Sequence, residues 1–232
     1  MNTAVITLGT KNILNYSKYI FDINRAYCEK NGYTYIQYND TLDKNRPVPW
    51  SKIIAVKNHL DIFDWIMWID ADAMFFNHDI RIEDRIDDSY NLIIGKSCGD
   101  TWIDNQSDDF VNINTGCFLI RGKCSWSHYL LDELYSRDDC LKNKWWENYA
   151  LMQVFLENNY LINNKIKIIE QELINGYENR LYDYFSYSSE QFILHYAGVS
   201  TEEKTFCIEE RYKEFKDGKF TGDRKKDRIK FN

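Results

Sequence analysis

The chain has 232 residues, 44% of them hydrophobic and 16% aromatic, and a formal net charge of −7. That is apolar enough to bury a sizeable core, which excludes a mainly disordered chain, and the acidic balance excludes a general nucleic-acid binder, because phosphate backbones require a clustered positive surface. No apolar stretch approaches the roughly 20 residues of a membrane-spanning helix, and Met1 to Val5 lack the basic region and apolar block of a signal peptide, so the chain reads as cytoplasmic or peripheral to a membrane, with no integral membrane segment.

Ala4 to Leu8 reads as a short apolar strand ending in Gly9-Thr10. Tyr16, Tyr19, Ile20, Ile23 and Tyr27 then recur at helical spacing until Asn31-Gly32 stops the helix. Tyr33 to Tyr38 alternates as a strand, Pro47 and Pro49 punctuate the next loop, and Ile53, Val56, Leu60 and Phe63 mark a second amphipathic helix running into Trp65 to Ile69. Leu92 to Ile94 and Cys117 to Ile120 read as strands, Trp126 to Tyr135 and Asn148 to Leu156 as helices, and Ile166 to Ile169 and Phe192 to Leu194 as late strands. Such alternation predicts a largely parallel sheet flanked by helices.

No linker splits the chain, and one domain is the simplest count. From Arg211 to Lys230 nine Lys or Arg face four Asp or Glu, so residues 201–232 read as a charged, basic extension behind a domain at 1–200. That run is a solvated face or frayed tail, or a surface for an acidic acceptor, a membrane or substrate phosphates. The six cysteines form no C-x-x-C pair and read as reduced, mostly buried thiols. Asn15-Tyr16-Ser17, Asn39-Asp40-Thr41 and Asn105-Gln106-Ser107 match the N-glycosylation pattern, as an Asn-rich chain does by chance.

The most informative feature is Asp70-Ala71-Asp72, directly after the apolar run Trp65 to Ile69. Two carboxylates then stand at the carboxyl end of a buried strand, where open α/β sheets keep their chemistry. Their repulsion and desolvation call for a positive partner. A divalent cation of the Mg²⁺ or Mn²⁺ kind takes carboxylate oxygens and leaves positions for water or phosphate, so it would recruit a phosphorylated substrate. The alternative is a solvated Asp-rich turn.

Four segments, in this order, resemble the glycosyltransferase family that contains yeast α-galactosyl- and mannosyltransferases and plant xyloglucan xylosyltransferases. They are Trp50-Ser51-Lys52 with Trp68-Ile69-Asp70-Ala71-Asp72-Ala73-Met74-Phe75, then Asn114-Thr115-Gly116-Cys117-Phe118-Leu119-Ile120-Arg121, Glu147-Asn148-Tyr149-Ala150-Leu151, and His195-Tyr196-Ala197-Gly198. The resemblance implies a GT-A fold, a single Rossmann-like, mostly parallel sheet with the D-x-D at its centre, and a metal-dependent retaining glycosyltransferase. It implies a nucleotide-sugar donor, UDP ahead of GDP, and a glycan, glycoprotein or glycolipid acceptor. It assigns Mn²⁺ or Mg²⁺ to Asp70, Asp72 and His195.

Within that frame Thr7, Leu8, Gly9 and Thr10 are expected against the nucleoside, where Gly9 lets backbone approach closely. Lys52 is either a fixed cation near phosphate or sugar, or an exposed lysine. Asn114 and Thr115 sit before an apolar strand with polar groups toward the pocket mouth, and Gly116 leaves space for the sugar ring; with Ala71 and Gly198 they complete the expected donor site. Glu147 and Asn148, after Trp145-Trp146, open a helix as the catalytic pair. Two mechanisms stand open: attack by Glu147 to form a glycosyl-enzyme, or a same-face displacement in which Asn148 or Glu147 stabilises oxocarbenium character.

The chain departs from the family after its histidine motif. Plant members carry a lysine near the diphosphate; Val199 and Ser200 occupy that stretch here, and Lys204 is the nearest lysine. Eukaryotic members also carry a membrane anchor and stem, and neither appears in these residues. Two rivals remain. Haloacid-dehalogenase-type phosphatases also place D-x-D after an apolar strand, and Gly99-Asp100-Thr101-Trp102-Ile103-Asp104 matches their late motif; a binding protein that kept the fold without turnover is the other.

Overall fold

The computed structural model describes residues 1–97, 112–157, 164–178 and 191–219. It opens with β1 (Thr3–Leu8), α1 (Leu14–Asn31) and β2 (Thr34–Tyr38), a strand, helix, strand unit in which β1 and β2 pair in parallel. Gly32 ends α1 at φ +76°, a left-handed conformation that glycine adopts freely, and its N–H caps the Cys28 carbonyl. A 3-10 turn at Val48–Trp50 leads into α2 (Ser51–Lys57), then β3 (Trp65–Ile69) and the short β4 (Ala73–Phe75). There follow β5 (Leu92–Lys96), β6 (Ile113–Arg121), α3 (Ser125–Tyr135), α4 (Trp146–Glu157) and β7 (Ile166–Ile169). β8 (Gly176–Tyr177), β9 (Ile193–His195) and α5 (Thr201–Lys216) complete the described elements.

The main sheet has the order β2-β1-β3-β6-β5-β7, with β6 antiparallel to both its neighbours and every other pairing parallel. It is therefore mostly parallel, as the alternation predicts, with one reversed strand. Ile66, Trp68, Phe118 and Ile120 share one face with α2, α3 and α4. Trp65, Met67, Ile69, Cys117 and Leu119 share the other. A strand covered on both sides can be apolar at every position, which is why β3 carries no alternation.

Because β6 runs backwards, its first residues lie at the carboxyl edge of its neighbours. Cys117 pairs with Ile69, and the Asp70 N–H donates to the Gly116 carbonyl at 2.8 Å. Asn114 and Thr115 therefore lie inside β6 rather than before it, and still reach the edge where β3 releases Asp70. A second sheet, β4-β9-β8, forms where the chain after Asp72 pairs antiparallel with β9, Ala73 opposite His195. Asn24, on the apolar face of α1, secures the free edge of β4: its amide donates to the Ala73 carbonyl and its oxygen accepts from the Phe75 N–H.

Two further sequence-based expectations change. The helix marked by Leu60 and Phe63 ends at Lys57, because the Leu60 carbonyl is taken by the Lys123 N–H at 2.6 Å and the chain must turn into β3; both side chains stay buried in the turns. The basic run from Arg211 is not solvated throughout. Arg211 is 1% exposed on α5, which packs against α1, and it donates from Nε and Nη2 to both Glu178 oxygens at 2.9 and 2.8 Å. The Tyr196 hydroxyl adds a third bond to Glu178.

Cys28, Cys117, Cys140 and Cys207 are buried free thiols and Cys124 is a half-buried one, whereas Cys98 lies outside the described residues. The same holds for the phosphatase-like Gly99 to Asp104, for Asn105-Gln106-Ser107 and for residues 220–232. Among the described residues no helix is long and apolar enough to cross a membrane.

Removing one side of a buried ion pair strands the other charge, at a cost of about 3–5 kcal/mol. Arg211→Ala is expected to lower the unfolding free energy by that much in urea, and Arg211→Met combined with Glu178→Leu to recover most of it. An undiminished stability in Arg211→Ala would show that the pair does not anchor α5.

Candidate active site

At the carboxyl edge of the sheet lies a cavity of about 330 Å³. Of the residues expected to form a site, it is lined by Leu8, Lys52, Asp70, Ala71, Asp72, Asn114, Thr115, Gly116, Glu147, Asn148 and His195. They come from β1, α2, the turn after β3, the start of β6, the first turn of α4 and the end of β9. The remaining expected positions are not on its wall. Thr7 is fully buried within β1, and a Cβ on Gly9 would meet the Phe21 ring at 2.5 Å, so the glycine admits α1 rather than a ligand. Thr10 lies in the turn after β1, and Gly198 adopts φ +71° with open space around it.

Asp70, Asp72 and His195 each offer a ligand atom, and these atoms lie within 4.8 Å of one another. His195 Nε2 stands 3.2 Å from Asp72 Oδ1. Its Nδ1 is 2.7 Å from Asn175 Oδ1, whose own amide donates to the Asn114 carbonyl. With the Asn175 oxygen as acceptor, Nδ1 carries its proton there, and Nε2 is the ring nitrogen turned to Asp72 that a metal would take. Gly116 makes room for this arrangement: a Cβ there would lie 2.2 Å from His195 Cε1. The space at Gly116 is thus filled by the imidazole, not kept open for a sugar ring.

Lys52 is 5% exposed, which removes the reading of a surface lysine. Its ammonium lies 2.7 Å from Glu147 Oε1, 3.2 Å from Asp70 Oδ1 and 2.9 Å from the Thr115 carbonyl. An ammonium has three N–H donors, and all three are engaged, so none is left for a phosphate. Burial alone would lower the Lys52 pKa, but the carboxylates of Asp70 and Glu147 hold it above the ordinary lysine range. Burial raises the Asp70 carboxyl against the pull of Lys52, with Asp72 adding repulsion. Asp70 Oδ1 also accepts from Trp68 Nε1 at 2.7 Å.

Asp72 is the opposite case. Burial would raise it, yet His195 and then Lys204 hold it well below the usual carboxylate range. Lys204 reaches Asp72 Oδ2 from α5. It thus stands beside the D-x-D from a place in the chain the family pattern does not use. The same two carboxylates, after burial, raise the phenol of Tyr16, which also lines the cavity.

In the first turn of α4, Glu147 is 5% exposed. Oε1 is bound by Lys52 and by the Thr115 hydroxyl at 3.1 Å, whereas Oε2 is buried with no hydrogen-bond partner among the described residues. Asn148 has its amide engaged by β6: Oδ1 accepts from the Thr115 N–H at 2.8 Å and Nδ2 donates to the Ile113 carbonyl. It pins α4 to the sheet. Asn175, Lys204 and Tyr16 were not among the expected site residues. Tyr16 shows only as one apolar position of a helix face, and the other two reach the site through the packing of late segments.

The sequence matches the galactosyl transferase GMA12/MNN10 family over residues 5–94 and 99–206. It is 33% identical over 110 residues to the probable xyloglucan 6-xylosyltransferase 3 of Arabidopsis thaliana, covering 46% of this chain and 23% of that one. It is 27% identical over 158 residues to the uncharacterized alpha-1,2-galactosyltransferase C1289.13c of Schizosaccharomyces pombe, covering 52% of this chain and 42% of that one. The chain thus spans less than half the length of either relative. Its fold is similar to that of a glycosyltransferase involved in glycosylation of the major capsid of PBCV-1, with a TM-score of 0.68 at 13% identity over 90% of this chain and 100% of that one. With the D-x-D, the reversed β6 and the late histidine assembled at one edge of such a sheet, the chain belongs to the galactosyl transferase GMA12/MNN10 family of glycosyltransferases.

Proposed function

We propose that this protein transfers a hexose or pentose from a nucleotide-diphosphate sugar, UDP ahead of GDP, to a hydroxyl of a glycan acceptor, with retention at the anomeric carbon. The observation that carries the reading is the convergence of Asp70, Asp72 and His195, with His195 Nε2 held toward Asp72 by the Asn175 bond to Nδ1. Two carboxylates and one neutral imidazole suit a divalent cation of the Mn²⁺ or Mg²⁺ kind. Bound there, such an ion would act as a Lewis acid and neutralise the charge that develops on the leaving diphosphate. The hexose and pentose alternatives follow the relatives, of which one is named as a galactosyltransferase and the other as a xylosyltransferase.

What the chain's own residues do can be argued from their partners. Lys204, on Asp72, supplies a second positive charge at the acidic floor. Glu147 has one oxygen neutralised by Lys52, and the other is buried without a hydrogen-bond partner among the described residues. A carboxylate tied to a buried ammonium is a weakened nucleophile but still a source of negative potential. This favours the same-face route, in which Glu147 stabilises oxocarbenium character, over a glycosyl-enzyme. Asn148, turned to β6, acts through the position of Glu147 rather than on the sugar.

Three outcomes test the reading by calorimetric titration of UDP with and without Mn²⁺. Asp72→Asn is expected to abolish the metal-dependent part of binding, with affinity falling more than about 100-fold, beyond what a supporting residue costs. Binding and transfer undiminished in that variant would refute the metal role. Asn175→Ala keeps all three ligands and is expected to weaken Mn²⁺ by about 10–100-fold, with the His195 imidazole resonances reporting a changed tautomer. Gly116→Ala drives a methyl into that imidazole, so metal-dependent UDP binding is expected to fall with a stability loss of about 1–3 kcal/mol. In a His195→Ala background the same change should cost clearly less, leaving only the 2.8 Å approach to Asn114 Oδ1, and an equal cost in both backgrounds would place the clash elsewhere.

A further inference from the structure

We propose that Trp146, with Val48 and Pro49, forms a stacking subsite for a pyranose ring of the acceptor glycan at the mouth of the cavity. The proposal rests on the transferase reading above and adds a place for the second substrate.

Trp146 is the most exposed tryptophan around the site among the described residues, ahead of the half-buried Trp145. It is 41% exposed, whereas Trp50 and Trp68 are buried. It is also the first residue of α4 and stands at φ +45°, in the left-handed region that a bulky side chain rarely occupies. The turn before it sets this conformation: Asn143 Oδ1 accepts from the Trp145 N–H at 2.9 Å and the Asn143 carbonyl from the Trp146 N–H at 3.2 Å. A glycine would adopt that backbone without strain and without exposing an indole. Strain held at a cleft is a mark of function.

The surroundings name the ligand. Trp146 lines the same cavity as its neighbour Glu147, and α4 packs against the 3-10 turn carrying Val48, itself 42% exposed, and Pro49. The rim is thus apolar and aromatic, and the floor, with Asp70, Asp72 and His195, is acidic and suited to a cation and diphosphate. A pyranose ring presents a C–H face that packs on an indole and leaves its edge hydroxyls free to bond, so an uncharged sugar fits the rim and a diphosphate does not.

The test titrates the full chain with cellopentaose, mannopentaose and lactose, with UDP and Mn²⁺ present and again without nucleotide. Wild-type protein is expected to bind at least one of them. Trp146→Gly keeps the backbone conformation and is expected to unfold at the same or a higher temperature while losing about ten-fold or more in oligosaccharide affinity, and Trp146→Phe to recover most of the loss. UDP affinity with Mn²⁺ is expected to stay within about two-fold in both variants. Oligosaccharide binding as tight in Trp146→Gly as in wild type overturns the proposal, and so does wild-type binding of none of the three sugars. A parallel loss of UDP affinity also overturns it, by assigning the ring to the donor. Failure of wild-type protein to bind UDP with Mn²⁺ refutes the transferase reading instead, and the nucleotide-free titration then judges the subsite by itself.

Discussion

Three carboxylates at the edge of an apolar sheet are the constraint around which this molecule is arranged, and the buried ammonium of Lys52 is the first answer to it. At an effective dielectric of about 20, unit charges about 3 Å apart attract by roughly 5 kcal/mol gross, which is comparable to the several kcal/mol needed to strip each ion of water. Lys52 is therefore no large source of net stability. Its role is to make Asp70 and Glu147 tolerable neighbours, and the Thr115 carbonyl takes its remaining proton. Asp72 has its own partners, His195 and Lys204, so the two aspartates of one turn are balanced from opposite ends of the chain.

That division depends on one reversed strand. Had β6 run parallel to β3, its polar start would lie at the far edge of the sheet, and Gly116, Thr115 and Asn114 would be remote from Asp70. Running antiparallel, β6 sets the Gly116 carbonyl on the Asp70 N–H, Thr115 on Lys52 and Glu147, and a glycine under the His195 ring. Each of those contacts uses backbone or a short side chain, so the geometry is set by sheet register rather than by flexible rotamers.

Much of this was legible in the sequence, for identifiable reasons. An unbroken apolar pentad followed by Asp-Ala-Asp leaves few places for β3 or its exit, and four motifs in family order located Lys52, the start of β6, Glu147 and His195 before any coordinates. Register and docking were not legible. Lys52 at the start of a helix reads equally as buried or exposed, because the carboxylates that receive it come from other elements. Arg211 sits in a run of charges that looks solvated, and only the packing of α5 on α1 reveals Glu178 behind it. Asn175 lies outside every motif, and its value depends wholly on the ring it orients. Gly116 was placed correctly for the wrong neighbour, since a sequence does not say which group fills the space a glycine leaves.

The inner site and its rim are built on different principles, and this bears on how such a fold acquires new substrates. At the floor, Asp70, Asp72 and His195 are held by strand ends, by the β4–β9 register and by buried polar bonds, so a change there disturbs several partners at once. Trp146, Val48 and Pro49 stand on a helix start and a 3-10 turn, partly in solvent, with few bonds depending on their side chains. If the rim receives the acceptor as proposed, a substitution there changes the acceptor surface while leaving the charge balance beneath it intact.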